Sequence, residues 1–195
     1  MNLPNKLTVL RVILVPFFVF FLLYDFIPHH NLIALIIFAA ASYTDHLDGK
    51  IARRDNLITN FGKFMDPLAD KILVISALIC FVASGTVSPW FLILITFREF
   101  AVTSIRLVAS SGKGKVIAAN IWGKMKTVSQ IVAIIIITLC AYLKELSAMG
   151  LFPLQGALGT TLYIAELSVM IICTALTLFS GWIYIKDNLE FIKDC

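Results

Sequence analysis

Between Thr44 and Asp70 the chain reads "TDHLDGKIARRDNLITNFGKFMDPLAD", and it places Asp45, Asp48, Asp66 and Asp70 at helical intervals. Asp45, Asp48, Gly49 and Ala52 recur at about three or four residues, so a helix through them carries them on one face. Gly62, Asp66 and Asp70 do the same on a following helix. An antiparallel hairpin turning near residues 57–58 sets Asp45 level with Asp70 and Asp48 nearly level with Asp66. Carboxylates gathered at one depth of an apolar setting must take up protons or bind cations. Hard divalent ions, Mg2+ or Mn2+, suit such oxygens, and two of them neutralise the four charges. Gly49, Ala52 and Gly62 keep bulk off the same faces, so an extended ligand can approach the helix backbone. Plain ion pairing with Lys50, Arg53, Arg54, Lys63 and Lys71 is the competing use of these aspartates, but it does not require two matched faces.

The elements that must position these residues are apolar. Of 195 residues, 59% are hydrophobic and 14% charged, with a mean hydropathy of +0.92, outside the range of a soluble domain. Apolar windows run over Leu7–Tyr24, Leu32–Tyr43, Ile72–Ala83, Trp90–Phe97 continuing to Ala109, Ile117–Leu143 and Thr160–Ile185. A spanning helix needs roughly 20 mostly apolar residues, and the shorter windows reach that length once their polar ends are counted. The reading is all-α: a polytopic membrane protein of six transmembrane helices forming one domain over 1–195, with a polar cavity facing the cytoplasm. The links between windows, such as "SGTVSP" and "SSGKGK", are short and rich in helix-interrupting residues.

Placing both termini in the cytoplasm puts nearly every Lys and Arg on that side and leaves Lys144 outside, as the positive-inside rule expects. The net charge of +4 is then topological and implies no nucleic-acid partner. The first apolar run is too long for a cleaved signal and is expected to remain. Cys80, Cys140, Cys173 and Cys195 show no metal-site spacing, and the first three, in apolar helices, read as small packing residues. Arg98 and Glu99 read as an internal ion pair or cavity lining, and His29, His30 and Glu166 receive no assignment.

The pattern D-x-x-D-G-x-x-A-R, eight residues, then G-x-x-x-D-x-x-x-D resembles the signature of the CDP-alcohol phosphatidyltransferases. It is complete here as Asp45, Asp48, Gly49, Ala52, Arg53, Gly62, Asp66 and Asp70. The opening "NLPNKLTVLRVILVP" and the stretch "REFAVTSIRLVASSGKGKVIAANIWGKMKTVSQ" are similar to bacterial members that transfer a phosphatidyl group from CDP-diacylglycerol to glycerol 3-phosphate. The resemblance implies a six-helix membrane fold in the cell membrane, a homodimer, and two Mg2+ or Mn2+ ions on the four aspartates. It also implies a general-base role for Asp70. Metals bridging the pyrophosphate fit the two-metal pattern of phosphoryl transfer.

On that reading Arg53 meets a nucleotide phosphate through its fork, and Gly49, Ala52 and Gly62 border the donor. Asn5, Thr8 and Arg11 close over the same pyrophosphate, or else anchor and cap the first helix. Lys63, Arg106, Lys124 and Lys126 gather enough positive charge to hold the phosphate of the acceptor, while Lys113 and Lys115 belong to solvent or lipid headgroups. Relatives with the same aspartates use inositol phosphate, serine or phosphatidylglycerol as acceptor, so the fold does not choose among them. A divalent-cation transporter would show repeated halves, which are absent. An aspartate-rich prenyltransferase would separate its two motifs widely.

Overall fold

A computed structural model describes residues 2–54, 60–112, 121–151, 153 and 156–187. The described residues form six helices and no strand: α1 Leu3–Leu23, α2 His30–Arg54, α3 Asn60–Ala83, α4 Pro89–Gly112, α5 Ile121–Ala148 and α6 Ala157–Asp187. Three of them, α1, α5 and α6, are long and apolar enough to cross a membrane. The other three have comparable length, but each carries charges within it, as the sequence anticipates for α2 and α3.

Every helix presents a stripe to the bundle interior, and the stripes change character along their length. On α1 the buried positions are Pro4, Asn5, Thr8, Arg11, Val15 and Phe18, polar at the start and apolar further on. On α2 the buried Ala34, Phe38 and Ala41 lead at the same spacing into Asp45 and the buried Asp48. On α6 Met170 and Cys173 lead into Thr177 and Ser180. Because successive helices alternate in direction, the polar ends meet at one end of the bundle and the apolar portions build a core around Phe18, Phe38, Phe81, Ile95, Ile134 and Met170. Phe18 of α1 meets Phe38 of α2 with ring centroids 5.5 Å apart, and Ala34 and Ala41 let the two backbones approach. The outward faces carry Phe17, Ile36, Trp90, Phe97, Ile172 and Trp182, all exposed. Such an apolar exterior suits lipid, not water.

The hairpin geometry needs one correction. α1 packs along both α2 and α3, while α2 and α3 touch each other only slightly, so the first helix lies between the two aspartate helices. The expected turn near residues 57–58 lies outside the described residues.

α3 and α5 stop by the same device. Gly85 and Gly150 adopt left-handed φ of 72° and 74°, and the following Thr86 and Leu151 donate back to Phe81 O and Leu146 O at 2.9 and 3.0 Å. These are paired returns of the chain on a glycine that a side chain would strain. At the opposite end of the bundle from the aspartates, Glu145 of α5 caps α2. The His30 and Asn31 backbone N–H groups donate to its two carboxylate oxygens at 3.0 and 3.1 Å, and Asn31 Nδ2 adds a third bond at 3.0 Å. A carboxylate at a helix N-terminus satisfies orphan donors and meets the positive end of the dipole. Glu145→Ala is therefore expected to lower stability by about 1–2 kcal/mol, read as an earlier thermal transition of the detergent-purified protein. An unchanged transition would show that the cap is dispensable.

Candidate active site

The polar ends of α1 and α2 meet at one cation, and α3 joins them through a neighbouring hydroxyl. Arg11 is wholly buried, with Nη1 2.6 Å from Asp45 Oδ1 and Nη2 2.5 Å from Asp48 Oδ2. Two carboxylates one helical turn apart are what a planar, rigid fork can span and a lysine cannot. Thr8, one turn earlier on α1, sets its hydroxyl 2.8 Å from Asp66 Oδ1 and 3.4 Å from Asp48 Oδ2. Its single proton serves the shorter contact. Asp48 and Asp66 thus lie on either side of one hydroxyl, consistent with the level pairing expected from the hairpin. Asn5 is buried on the same stripe. None of these three residues anchors a surface.

Beside them lies a cavity of about 570 Å³, lined by Asp45, Asp66 and Asp70 from α2 and α3. Asp48 is set apart from the other three, only 4% exposed. The rest of the lining comes from α4, α5 and α6, including Arg98, Glu99, Lys124, Lys126 and Ser180. These side chains form a network of their own. Glu99 accepts from Lys126 Nζ and, at 3.2 Å, from Gln130 Nε2. Arg98 Nη1 lies 3.5 Å from the same oxygen, and Arg98 Nη2 donates to Ser180 Oγ at 2.8 Å. A Cβ at Gly181 would come within 2.8 Å of Arg98 Cγ, so the glycine gives the arginine stem room against α6. An acidic group of residues and a largely cationic one therefore share one polar chamber, as an enzyme needs when it must hold phosphate oxygens and accept a proton nearby.

Comparison with known proteins agrees with this chemistry. The sequence model of the CDP-alcohol phosphatidyltransferases matches residues 1–183. The chain belongs to the CDP-alcohol phosphatidyltransferase family. It is 42% identical to the Bacillus subtilis protein named CDP-diacylglycerol–glycerol-3-phosphate 3-phosphatidyltransferase, over 98% of this chain and 97% of that one. A Mycobacterium tuberculosis protein named probable phosphatidylglycerophosphate synthase is 39% identical over 98% of this chain and 83% of its own length. A Cereibacter sphaeroides protein that shares the first name is 31% identical over 99% and 98%. The chain is thus a phosphatidyltransferase enzyme.

In this phosphatidyltransferase the candidate residues sort clearly. Asp45, Asp66, Asp70, Lys124 and Lys126 share the cavity; Thr8, Arg11 and Asp48 form the bonded layer next to it. Gly62 is buried and Gly49 half-buried. Ala52, Arg53, Lys63 and Arg106 lie outside the residues whose side chains are described, as do Lys113, Lys115 and Cys195. Among the described residues no three carboxylate, histidine or cysteine side chains are grouped tightly enough to hold a metal ion. The donor chemistry nevertheless fits a hard divalent cation: the aspartates offer only oxygen, and Arg11 brings a single positive charge to four carboxylates.

The ion pair anticipated for Arg98 and Glu99 is present, within a larger network that includes Lys126. Gln130, Thr177, Ser180 and Gly181 were not singled out from the sequence. Their signal is a polar face: Gln130 stands one turn beyond Lys126, and Thr174, Thr177 and Ser180 follow one another at about one turn in a largely apolar helix. Glu166, left unassigned, is paired with Lys144 at 2.6 Å on the far side of the bundle.

Proposed function

We propose that the enzyme transfers the phosphatidyl group of CDP-diacylglycerol to glycerol 3-phosphate, giving phosphatidylglycerol phosphate and CMP. The observation that carries this reading is the cavity that joins Asp45, Asp66 and Asp70 to Lys124 and Lys126 in a chain of this family. The names of the Bacillus subtilis and Cereibacter sphaeroides relatives supply the same donor and acceptor.

The chain's own residues divide the work. Asp70 takes the proton of the attacking hydroxyl on a carboxylate oxygen, as that hydroxyl forms its bond to the phosphorus bearing the diacylglycerol and the bond to CMP breaks. Lys124 and Lys126, with Lys63 and Arg106, hold the acceptor's phosphate, which carries close to two negative charges near neutral pH. Arg53 holds the nucleotide side, Gly49, Ala52 and Gly62 let it lie close to the helices, and the buried Asn5, Thr8 and Arg11 act on that side from behind, through the aspartates that Thr8 and Arg11 bond. Asp45, Asp48, Asp66 and Asp70 are the residues that would hold Mg2+ or Mn2+, two ions as the family resemblance implies. When bound, these ions supply Lewis-acid stabilisation of the pyrophosphate and the departing CMP. All six helices cross the cell membrane, with both termini and the cavity mouth cytoplasmic, and the enzyme acts as a homodimer.

The test is an acceptor panel with radiolabelled CDP-diacylglycerol and the purified full chain. Glycerol 3-phosphate is expected to yield labelled phosphatidylglycerol phosphate with stoichiometric CMP. Serine, inositol phosphate and phosphatidylglycerol should yield no labelled lipid above background. Incorporation of serine, which brings no phosphate for the lysines, would overturn the acceptor assignment, and release of pyrophosphate in place of CMP would overturn the reaction.

A further inference from the structure

The carboxylate of Glu99 has no part in the reaction just described, although it lies in the same chamber. It is buried in the face of α4, receives Lys126 and Gln130 from α5, and has Arg98 beside it. Arg98 in turn reaches α6 through Ser180, in the space left by Gly181. One carboxylate therefore fixes where the Lys126 ammonium stands. An ammonium has three N–H donors. Glu99 takes one of them and leaves two for an anion entering the cavity.

Without that anchor an attraction remains within the chamber, on the carboxylates that line it. Lys126 and Asp70 carry opposite charges and line one cavity, and a lysine stem is flexible enough to close on the carboxylate. A pair formed between them would engage the acceptor's phosphate ligand and the proton acceptor with each other. Arg98 and Lys126 bring two positive charges and Glu99 one negative, so Glu99 holds Lys126 in place while the group keeps a net positive charge for a phosphate.

We propose that Glu99 is a positioning residue for the acceptor: it holds the Lys126 ammonium on the α4 side of the cavity, available to the acceptor's phosphate and withheld from Asp70. This rests on the acceptor reading above, and the test separates the two.

The experiment measures KM and kcat for glycerol 3-phosphate and for CDP-diacylglycerol in the full chain, in Glu99→Gln, in Lys126→Gln and in the double variant. Glu99→Gln keeps the size of the side chain and removes its charge. It is expected to raise KM for glycerol 3-phosphate by about tenfold or more, the range of a charge-assisted hydrogen bond. KM for CDP-diacylglycerol should stay within about twofold of the parent, since a loss of up to about 0.4 kcal/mol is no more than the scatter between independent sites. The double variant should be no worse than Lys126→Gln alone, because Glu99 acts through that lysine. Should Glu99→Gln fail to accumulate in membranes, Glu99→Asp reads the same split, since it keeps the charge but withdraws it by one methylene. If Lys126→Gln raises the acceptor's KM while the Glu99 variants do not, the positioning role falls and the acceptor reading stands. If Lys126→Gln leaves that KM unchanged, the acceptor reading falls and takes the positioning role with it. Equal weakening toward both substrates, or additive effects of Glu99→Gln and Lys126→Gln, would make Glu99 a general support of the bundle and overturn the proposal.

Discussion

Alanine at any one of Asp45, Asp48, Asp66 or Asp70 is expected to lower CMP release by about a thousandfold or more, on the order of 4 kcal/mol in the transition state, while the protein still inserts. Each substitution removes one carboxylate from a set that must balance cationic charge as a unit, so the losses should not add: a double variant should be little worse than the worse single one. Chelation by EDTA should reproduce the effect in the unaltered enzyme. The structure adds a distinction among the four. Asp45, Asp66 and Asp70 face the cavity, whereas Asp48 is buried against Arg11 and Thr8. Asp48→Ala should therefore also perturb thermal stability, because it leaves the buried guanidinium short of a partner, and Asp70→Ala should not. The check is CMP release from membranes containing equal amounts of each variant by immunoblot. Near-parental activity in two of the four would sink the shared-cluster reading.

Much of this architecture is legible in the chain because helical period and polarity act together. The spacing of Asp45 with Asp48, and of Asp66 with Asp70, defines a face without any knowledge of neighbours. The Gly85 and Gly150 stops fall in the short links "SGTVSP" and "KELSAMGLFPLQG", whose Gly and Pro residues separate the apolar windows. Antiparallel succession then forces the polar ends to one end of the bundle. What the sequence does not carry is lateral arrangement. A hairpin fixes the axial level of two helices but not whether a third lies between them, and here α1 does. Arg11 illustrates the consequence. In the sequence it serves the topological count and a candidate closure over the pyrophosphate, and only the packing of α1 against α2 shows it bridging Asp45 and Asp48.

The same limit explains Glu99 and Glu145. Each is one acidic residue in a long helix, and the partners that tie it to another helix, Lys126 and His30, lie 27 and 115 residues away. No local period links such pairs. Their charges must be compensated in an apolar bundle, so a partner is required in principle, but only the fold selects which one. The two residues also mark the two ends of the molecule: Glu99 joins α4 and α5 at the cavity, and Glu145 joins α5 to α2 at the opposite end. α5 is thus tied at both ends, which fits the helix that carries Lys124 and Lys126.

Arg11 provides the second large effect. Removing one partner of a buried ion pair costs about 3–5 kcal/mol, because the other charge is left buried and uncompensated. Arg11 and Asp48 are both buried. Arg11→Ala is accordingly expected to unfold well below the parent when the detergent-purified protein is heated in EDTA. Arg11→Lys should fall between the two, since a point charge can serve Asp45 or Asp48 but cannot bond both in the manner of the fork. Addition of Mg2+ or Mn2+ distinguishes a purely structural arginine from one that stands where cationic charge is needed. If the aspartates accept divalent ions, the cation should recover more stability in Arg11→Ala than in the parent, because it neutralises carboxylates that the parent already has partly balanced. Unfolding of Arg11→Ala at the parental temperature would show that the bridge contributes nothing. An equal response of both proteins to the cation would show that Arg11 and the metal serve separate groups of carboxylates.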